Sequence, residues 1–236
     1  MQAPRSRHES VSVAFRRNDM KKSLLLVALL LVFAVSGFAG TTYNNFTGYS
    51  PYWNPFGNPN TATYGETFTA PSSPNTNLAD FGFYMAGPVS PGDIILGAYI
   101  ATWTGTQAGT LLYSSTLVDY PNTGNDFLSF TTGGLTLTPG ANYVMFLSVS
   151  QYYGQSSGLS YVSQGDPTIP GGNFVYYNNG GNFSELFTNT WVTGLKPDWA
   201  VNLDFTSAST TPEPGTLLLL GTGLLGGIGA IRRKLF

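Results

Sequence analysis

The sequence predicts an all-β fold, an antiparallel β-sandwich of jelly-roll-like type, over residues 40–210. Three observations carry that prediction. Apolar side chains alternate with polar ones at period two in many short segments. Turn-forming clusters such as Pro91-Gly92, Thr138-Pro139-Gly140, Pro170-Gly171-Gly172 and Asn178-Asn179-Gly180-Gly181 separate those segments at short intervals. No stretch of the region carries a helical apolar period. Many short strands punctuated in this way suit a sandwich, with a single-sheet barrel as the alternative.

Residues 40–59, rich in Tyr, Asn and Pro, read as an extended segment packed along the sandwich. Strands follow at 63–69 and 80–85, where Phe81, Phe83 and Met85 oppose Asp80, Gly82 and Tyr84. Segments 93–103 and 142–149 are apolar on both faces, as strands at the centre of a sandwich are. Further strands are predicted at 111–118, 127–131, 159–163 and 174–177. At 198–205 the alternation is clean: Trp199, Val201, Leu203 and Phe205 point one way, Ala200, Asn202 and Asp204 the other.

Charge is scarce and unevenly placed. Charged residues make up 9% of the 236, and the net charge is −2. Between residues 40 and 211, however, Lys196 is the one base against nine acids, a net charge of −8. A surface of that kind cannot neutralise phosphates, so nucleic acid is excluded as a partner. There is no cysteine, and the one histidine is His8. The domain therefore lacks disulfides, thiolate metal sites and any Ser-His-Asp or Cys-His arrangement.

The two ends read as addresses. Residues 1–19 form a charged prefix, expected to be a mis-called extension with translation starting at Met20. Residues 20–39 (MKKSLLLVALLLVFAVSGFA) have a signal peptide's basic start, short apolar run and small residues, with cleavage by signal peptidase after Ala39. An uncleaved membrane anchor is the alternative. At the other end, residues 217–231 form a Gly-rich apolar segment that would reach about 22 Å as a helix, short of the ~30 Å hydrocarbon core. Arg232, Arg233 and Lys234 follow it and form a membrane stop.

Pro212-Glu213-Pro214, the short hydrophobic segment and the terminal basic cluster together resemble the PEP-CTERM sorting signal over residues 211–236. In exported proteins of exopolysaccharide-producing Gram-negative bacteria, exosortase reads that signal. The resemblance implies an exported protein, held by its tail in the membrane until processing, then destined for the cell envelope, cell surface or extracellular matrix. An ordinary C-terminal anchor is the competing reading. The segments GETFTAP (65–71), LADFGFYMAG (78–87), AYIATWTGTQAGTLLYSS (98–115) and LTLTPGANYVMFLSVS (135–150) resemble β-sandwich modules of PEP-CTERM and choice-of-anchor surface proteins. That likeness implies architecture and no common activity.

Candidate binding residues follow from what the composition leaves. Trp53, Trp103 and Trp191 are candidates for stacking on sugar rings, with core packing as the competing use. The paired tyrosines Tyr152-Tyr153 and Tyr176-Tyr177 are further candidates. Oxygen-rich loops at Asn122, Asn125 and Asp126, and at Asp166, offer ligands of the type Ca²⁺ takes, although Asx-rich turns commonly bond their own backbone. No other cofactor is expected. Asn45-Phe46-Thr47 and Asn182-Phe183-Ser184 fit the N-glycosylation pattern, which carries little weight in a bacterium. Glu66 and Glu185, the domain's two glutamates, are the pair a glycosidase would need. The expectation is thus a non-catalytic module associating with exopolysaccharide. A self-associating structural surface protein is the alternative, and a glycosidase a distant third.

Overall fold

The computed structural model of the protein describes residues 40–49, 52–195 and 197–207. The extension, the signal peptide, Ala39, the Pro212-Glu213-Pro214 motif, the apolar tail and its basic stop lie outside the described residues. Two antiparallel sheets of seven strands each pack face to face. The strands are β1 (Thr41–Asn44), β2 (Tyr52–Gly57), β3 (Thr63–Thr69), β4 (Asn77–Ser90), β5 (Ile94–Trp103), β6 (Ala108–Ser114) and β7 (Val118–Tyr120). They continue as β8 (Asn125–Thr136), β9 (Asn142–Ser148), β10 (Leu159–Gly165), β11 (Phe174–Tyr177), β12 (Val192–Leu195), β13 (Asp198–Trp199) and β14 (Val201–Thr206).

Sheet I runs β1-β14-β4-β10-β13, with β2 added to β10 and β8 to β4. Sheet II runs β12-β11-β3-β9-β5-β6, with β7 continuing along β5. Neighbours such as β14 and β4, or β3 and β9, are far apart in sequence, so the sandwich closes through crossovers between the sheets. Among the described residues, the helical elements are two short 3₁₀ segments, Ser150–Tyr152 and Phe183–Phe187. No described helix is long and apolar enough to cross a membrane.

The core forms where the alternating faces meet. Phe81, Phe83 and Met85 of β4 and Trp199, Val201, Leu203 and Phe205 from β13 and β14 are buried against Tyr64 and Phe68 of β3, Ile100 of β5 and Met145 of β9. Burying an aromatic or branched side chain of this kind contributes about 1.5–3 kcal/mol each. Trp199 packs on Phe83 with ring centroids 4.5 Å apart, and its Nε1–H donates to Tyr84 O at 3.2 Å. Glu66 is also in this interior: its Oε2 accepts the backbone N–H of Trp199 at 2.9 Å. A carboxylate on one sheet thereby bonds the backbone of the other.

Two segments differ from the sequence expectation. Residues 40–59 do not merely lie along the sandwich: β1 joins the edge of sheet I, with Thr41 opposite Phe205, and β2 pairs with β10. The predicted strand 111–118 is broken into β6 and β7. Ser115 Oγ accepts the Ala98 N–H at 2.9 Å, replacing a ladder bond and kinking the chain before it resumes along β5.

The outer face of sheet II is covered. Phe146 of β9, Tyr99 of β5 and Val175 of β11 lie beneath Leu186 and Trp191, with Phe183 and Phe187 packed alongside. This cap explains why β5 and β9 are apolar on both faces. It is pinned by a polar network in which Asn179 Nδ2 donates to Ser150 Oγ (2.6 Å) and Asn182 O (3.0 Å), while Asn179 Oδ1 accepts from Thr63 Oγ1 (2.9 Å).

Candidate functional site

The outer face of sheet I is built differently. Four strands, β1, β14, β4 and β8, lie side by side, spanning about 14 Å at ~4.8 Å per strand, and among the described residues Thr42, Asn44, Ser129 and Thr131 stay exposed on their outer face. Register fixes what each position meets. Thr42, Asp204, Asp80 and Thr131 form one cross-strand row, and Asn44, Asn202, Gly82 and Ser129 the next; Tyr84 and Phe127 face each other beyond them. These residues alternate with the buried Phe81, Phe83, Leu203 and Phe205, so the period-two pattern itself turns them outward.

The rows are tied together by side-chain hydrogen bonds. Thr42 Oγ1 donates to Asp204 Oδ1 and Thr131 Oγ1 to Asp80 Oδ1, both at 2.6 Å. Asn44 Nδ2 donates to Asn202 Oδ1 (3.0 Å), and Asn202 Nδ2 to Asp204 Oδ2 (2.7 Å). Each carboxylate oxygen keeps lone pairs beyond these bonds, so the face remains rich in acceptors for incoming hydroxyl donors.

Aromatic rings occupy the adjacent end. Phe46, in the chain that leaves β1, stacks on Tyr84 with centroids 3.9 Å apart and planes 5° from parallel. Tyr49 meets Phe46 edge-on at 4.8 Å, and Phe127 tilts onto Tyr84 at 4.5 Å. Phe127 is 37% exposed, and Phe46, Tyr49 and Tyr84 are half-buried. Gly82 makes room for this arrangement: a Cβ there would meet Phe127 Cζ and lie 2.6 Å from its Cε2. The Tyr49 hydroxyl is held above its ordinary pKa by burial, then by Tyr84 and Asp126, so it remains a neutral donor and acceptor.

Trp191 and Trp103 fall elsewhere. Trp191 is 2% exposed, and its Nε1–H donates to Leu186 O at 2.9 Å, so its indole presents no face for a sugar. Trp103 is half-buried and meets Trp191 edge-on at 5.7 Å, at the rim of the sheet II cap. Trp53 lies in β2 opposite Val162, and its side chain is outside the described part. The aromatic group on sheet I was not among the candidates. Its signal was Tyr84, an aromatic on the polar side of the β4 alternation.

The two oxygen-rich loops lie apart. Asn122 is buried, and its Nδ2 donates to Ser90 O and Leu159 O at 3.0 Å each, anchoring the loop to β4 and β10. Asn125 and Asp126 are exposed, with Asp126 Oδ1 accepting the Phe127 N–H at 2.8 Å. Asp166 follows the opposite end of β10, roughly 20 Å along the strand from Leu159. Among the described residues no three His, Cys, Asp or Glu side chains group as metal ligands.

The glutamates do not pair either. Glu66 shares the inward parity of Tyr64 and Phe68, whereas Glu185 sits in the outer cap, accepting from Tyr177 Oη (3.3 Å) and Asn182 Nδ2 (2.8 Å). They occupy opposite faces of sheet II. Asn45, the first of the two glycosylation-type asparagines, is buried: its Nδ2 donates to Asp166 O and Trp199 O, and its Oδ1 accepts the Val201 N–H.

Residues 210–234 match the model of the PEP-CTERM protein-sorting motif. The chain is therefore an exported β-sandwich protein carrying an exosortase-type sorting signal for the cell surface. No curated protein matches the sequence. Among solved structures it is similar to the cysteine protease and lectin-like domains of Cwp84, a surface layer associated protein of Clostridium difficile. The identity is 10% over 71% of this chain and 36% of that one, with a TM-score of 0.43. A second similarity is to the clostridial cysteine protease Cwp84 after propeptide cleavage, at 12% identity over 72% of this chain and 40% of that one, with a TM-score of 0.40. The chain thus spans well under half the length of either structure.

Proposed function

We propose that this protein is a non-catalytic module of a Gram-negative cell envelope or extracellular matrix, associating with exopolysaccharide through the outer face of sheet I. The observation that carries the reading is the Phe46–Tyr84 stack with Phe127 beside it, set at the end of an open row of amides, hydroxyls and carboxylates. Aromatic rings supply apolar area for the faces of sugar rings, and the polar row supplies partners for their hydroxyls. The sorting tail supports the reading, since it marks an exported, cell-surface-sorted protein, as such a module would have to be.

The test is a titration of the purified protein against the host's own extracellular polysaccharide, comparing it with a Tyr84→Ala/Phe127→Ala double variant. Binding should weaken by at least about tenfold, equivalent to ~1.4 kcal/mol, while the circular dichroism spectrum stays unchanged. Equal binding by a folded variant overturns the assignment of this face.

The competing reading, a self-associating surface protein, draws on β6. This edge strand of sheet II exposes Leu111 (40%) and Leu112 (37%), and open edges invite pairing with another chain. Assembly that grows with protein concentration in the absence of glycan favours that reading.

A further inference from the structure

Resting on the glycan-binding reading, we infer that the polymer taken by this face is uncharged, without uronate, sulfate or phosphate groups. The argument is one of charge complementarity. Asp80 and Asp204 stand in the polar row, and Asp126 borders the aromatic end, adjoining Phe127 and close enough to raise the Tyr49 hydroxyl's pKa. No basic residue occurs among the described residues. Among the described residues the face therefore has no guanidinium to clamp a carboxylate or sulfate through paired hydrogen bonds.

Magnitudes decide the matter. Like charges in contact repel about fourfold more strongly near a protein surface than in bulk water. Screening at physiological salt acts over about 8 Å, so it does not remove repulsion between groups in contact. An anionic repeat laid along the row would meet more than one aspartate and gain no compensating ion pair. A neutral sugar meets the same oxygens as hydrogen-bond acceptors for its hydroxyls. The acids that would repel an acidic polymer are the groups that would hold a neutral one.

The experiment uses the host's extracellular polysaccharide separated by anion exchange into neutral and acidic fractions, with chitosan oligomers as a cationic probe. Each is titrated against the purified protein at low and physiological salt, with a chelator present to remove bridging cations. The neutral fraction should bind with an affinity that changes less than about twofold between the two salts, and the acidic fraction at least about tenfold more weakly. Equal or tighter binding of the acidic fraction overturns the inference and leaves the glycan-binding reading standing. Binding of chitosan alone, lost with added salt, also overturns it, because attraction would then be charge and not ring stacking. Failure of all three to bind removes the glycan-binding reading itself.

Discussion

The two outer faces of the sandwich draw on similar residues and put them to different use. On sheet II, Tyr99, Phe146 and Trp191 are sealed beneath a returning segment, and Trp191 satisfies its N–H internally. On sheet I, Phe46, Tyr84 and Phe127 stack on one another but stay half-open to solvent beside an ordered polar row. The first arrangement is a satellite core; the second is a surface with ring area and hydrogen-bonding capacity left over. An aromatic residue in this protein therefore acquires its role from whether a later segment folds back over it.

The largest expected effect lies on the covered face. Trp191→Ala removes a buried indole and its hydrogen bond to Leu186 O, and should cost about 3–5 kcal/mol of stability. Denaturant unfolding measures this. Polysaccharide affinity of the folded variant should be unchanged, since the indole lies on the opposite side of the sandwich. A parallel loss of affinity would break the distinction between the two faces.

A smaller effect comes from the interior between them. Burial pushes the Tyr64 hydroxyl up to about 12, while in the unfolded chain it titrates near 10. Because the folded state holds its proton more tightly, this stabilisation is fully present below about pH 10 and is lost as pH rises through about 12. Two units correspond to roughly 2–3 kcal/mol, and Tyr99, raised chiefly by burial, adds in the same direction. Urea melts between neutral pH and pH 12 should show this decline, removed in part by Tyr64→Phe. A decline of the same size in Tyr64→Phe contradicts the assignment. Tyr49 on the open face is also raised, first by burial.

Much of the fold was legible because it is local. The alternation at Trp199, Val201, Leu203 and Phe205 places those four residues in the core, and strands 63–69 and 174–177 begin and end where the sequence predicts. The double-sided apolar character of β5 and β9 was legible too, although the cap that causes it was not. Residues 178–190 read only as a Gly- and Asn-rich loop, and nothing local says that Leu186 and Trp191 will return over Phe146. For the same reason the burial of Trp191 was not legible. Trp191 looks like a loop aromatic in sequence, whereas Tyr84 looks like one member of a strand. The use of the loop asparagines was equally hidden: Asn122 bonds Ser90 O and Leu159 O, partners that only the folded sheet brings to it.

The finest distinction between the faces can be tested at a residue that touches no ligand. Gly82 sits between Asn202 and Ser129, and Phe127 lies over it because it lacks a side chain. In Gly82→Ala the new methyl must displace that ring, and it also comes within 2.8 Å of Leu128 O. The exposed ring can swing outward but the Leu128 carbonyl belongs to the paired strand, so the stability cost should fall in the ordinary overpacking range, about 1–3 kcal/mol. Loss of the Phe127–Tyr84 contact should nevertheless weaken polysaccharide binding several-fold, within the ~0.5–1.5 kcal/mol ascribed to one aromatic pair. Unchanged affinity in the folded variant would mean that the ring's position over the sheet is incidental. Weakened affinity would show that a glycine in the strand shapes the surface as much as the aromatic residues that form it.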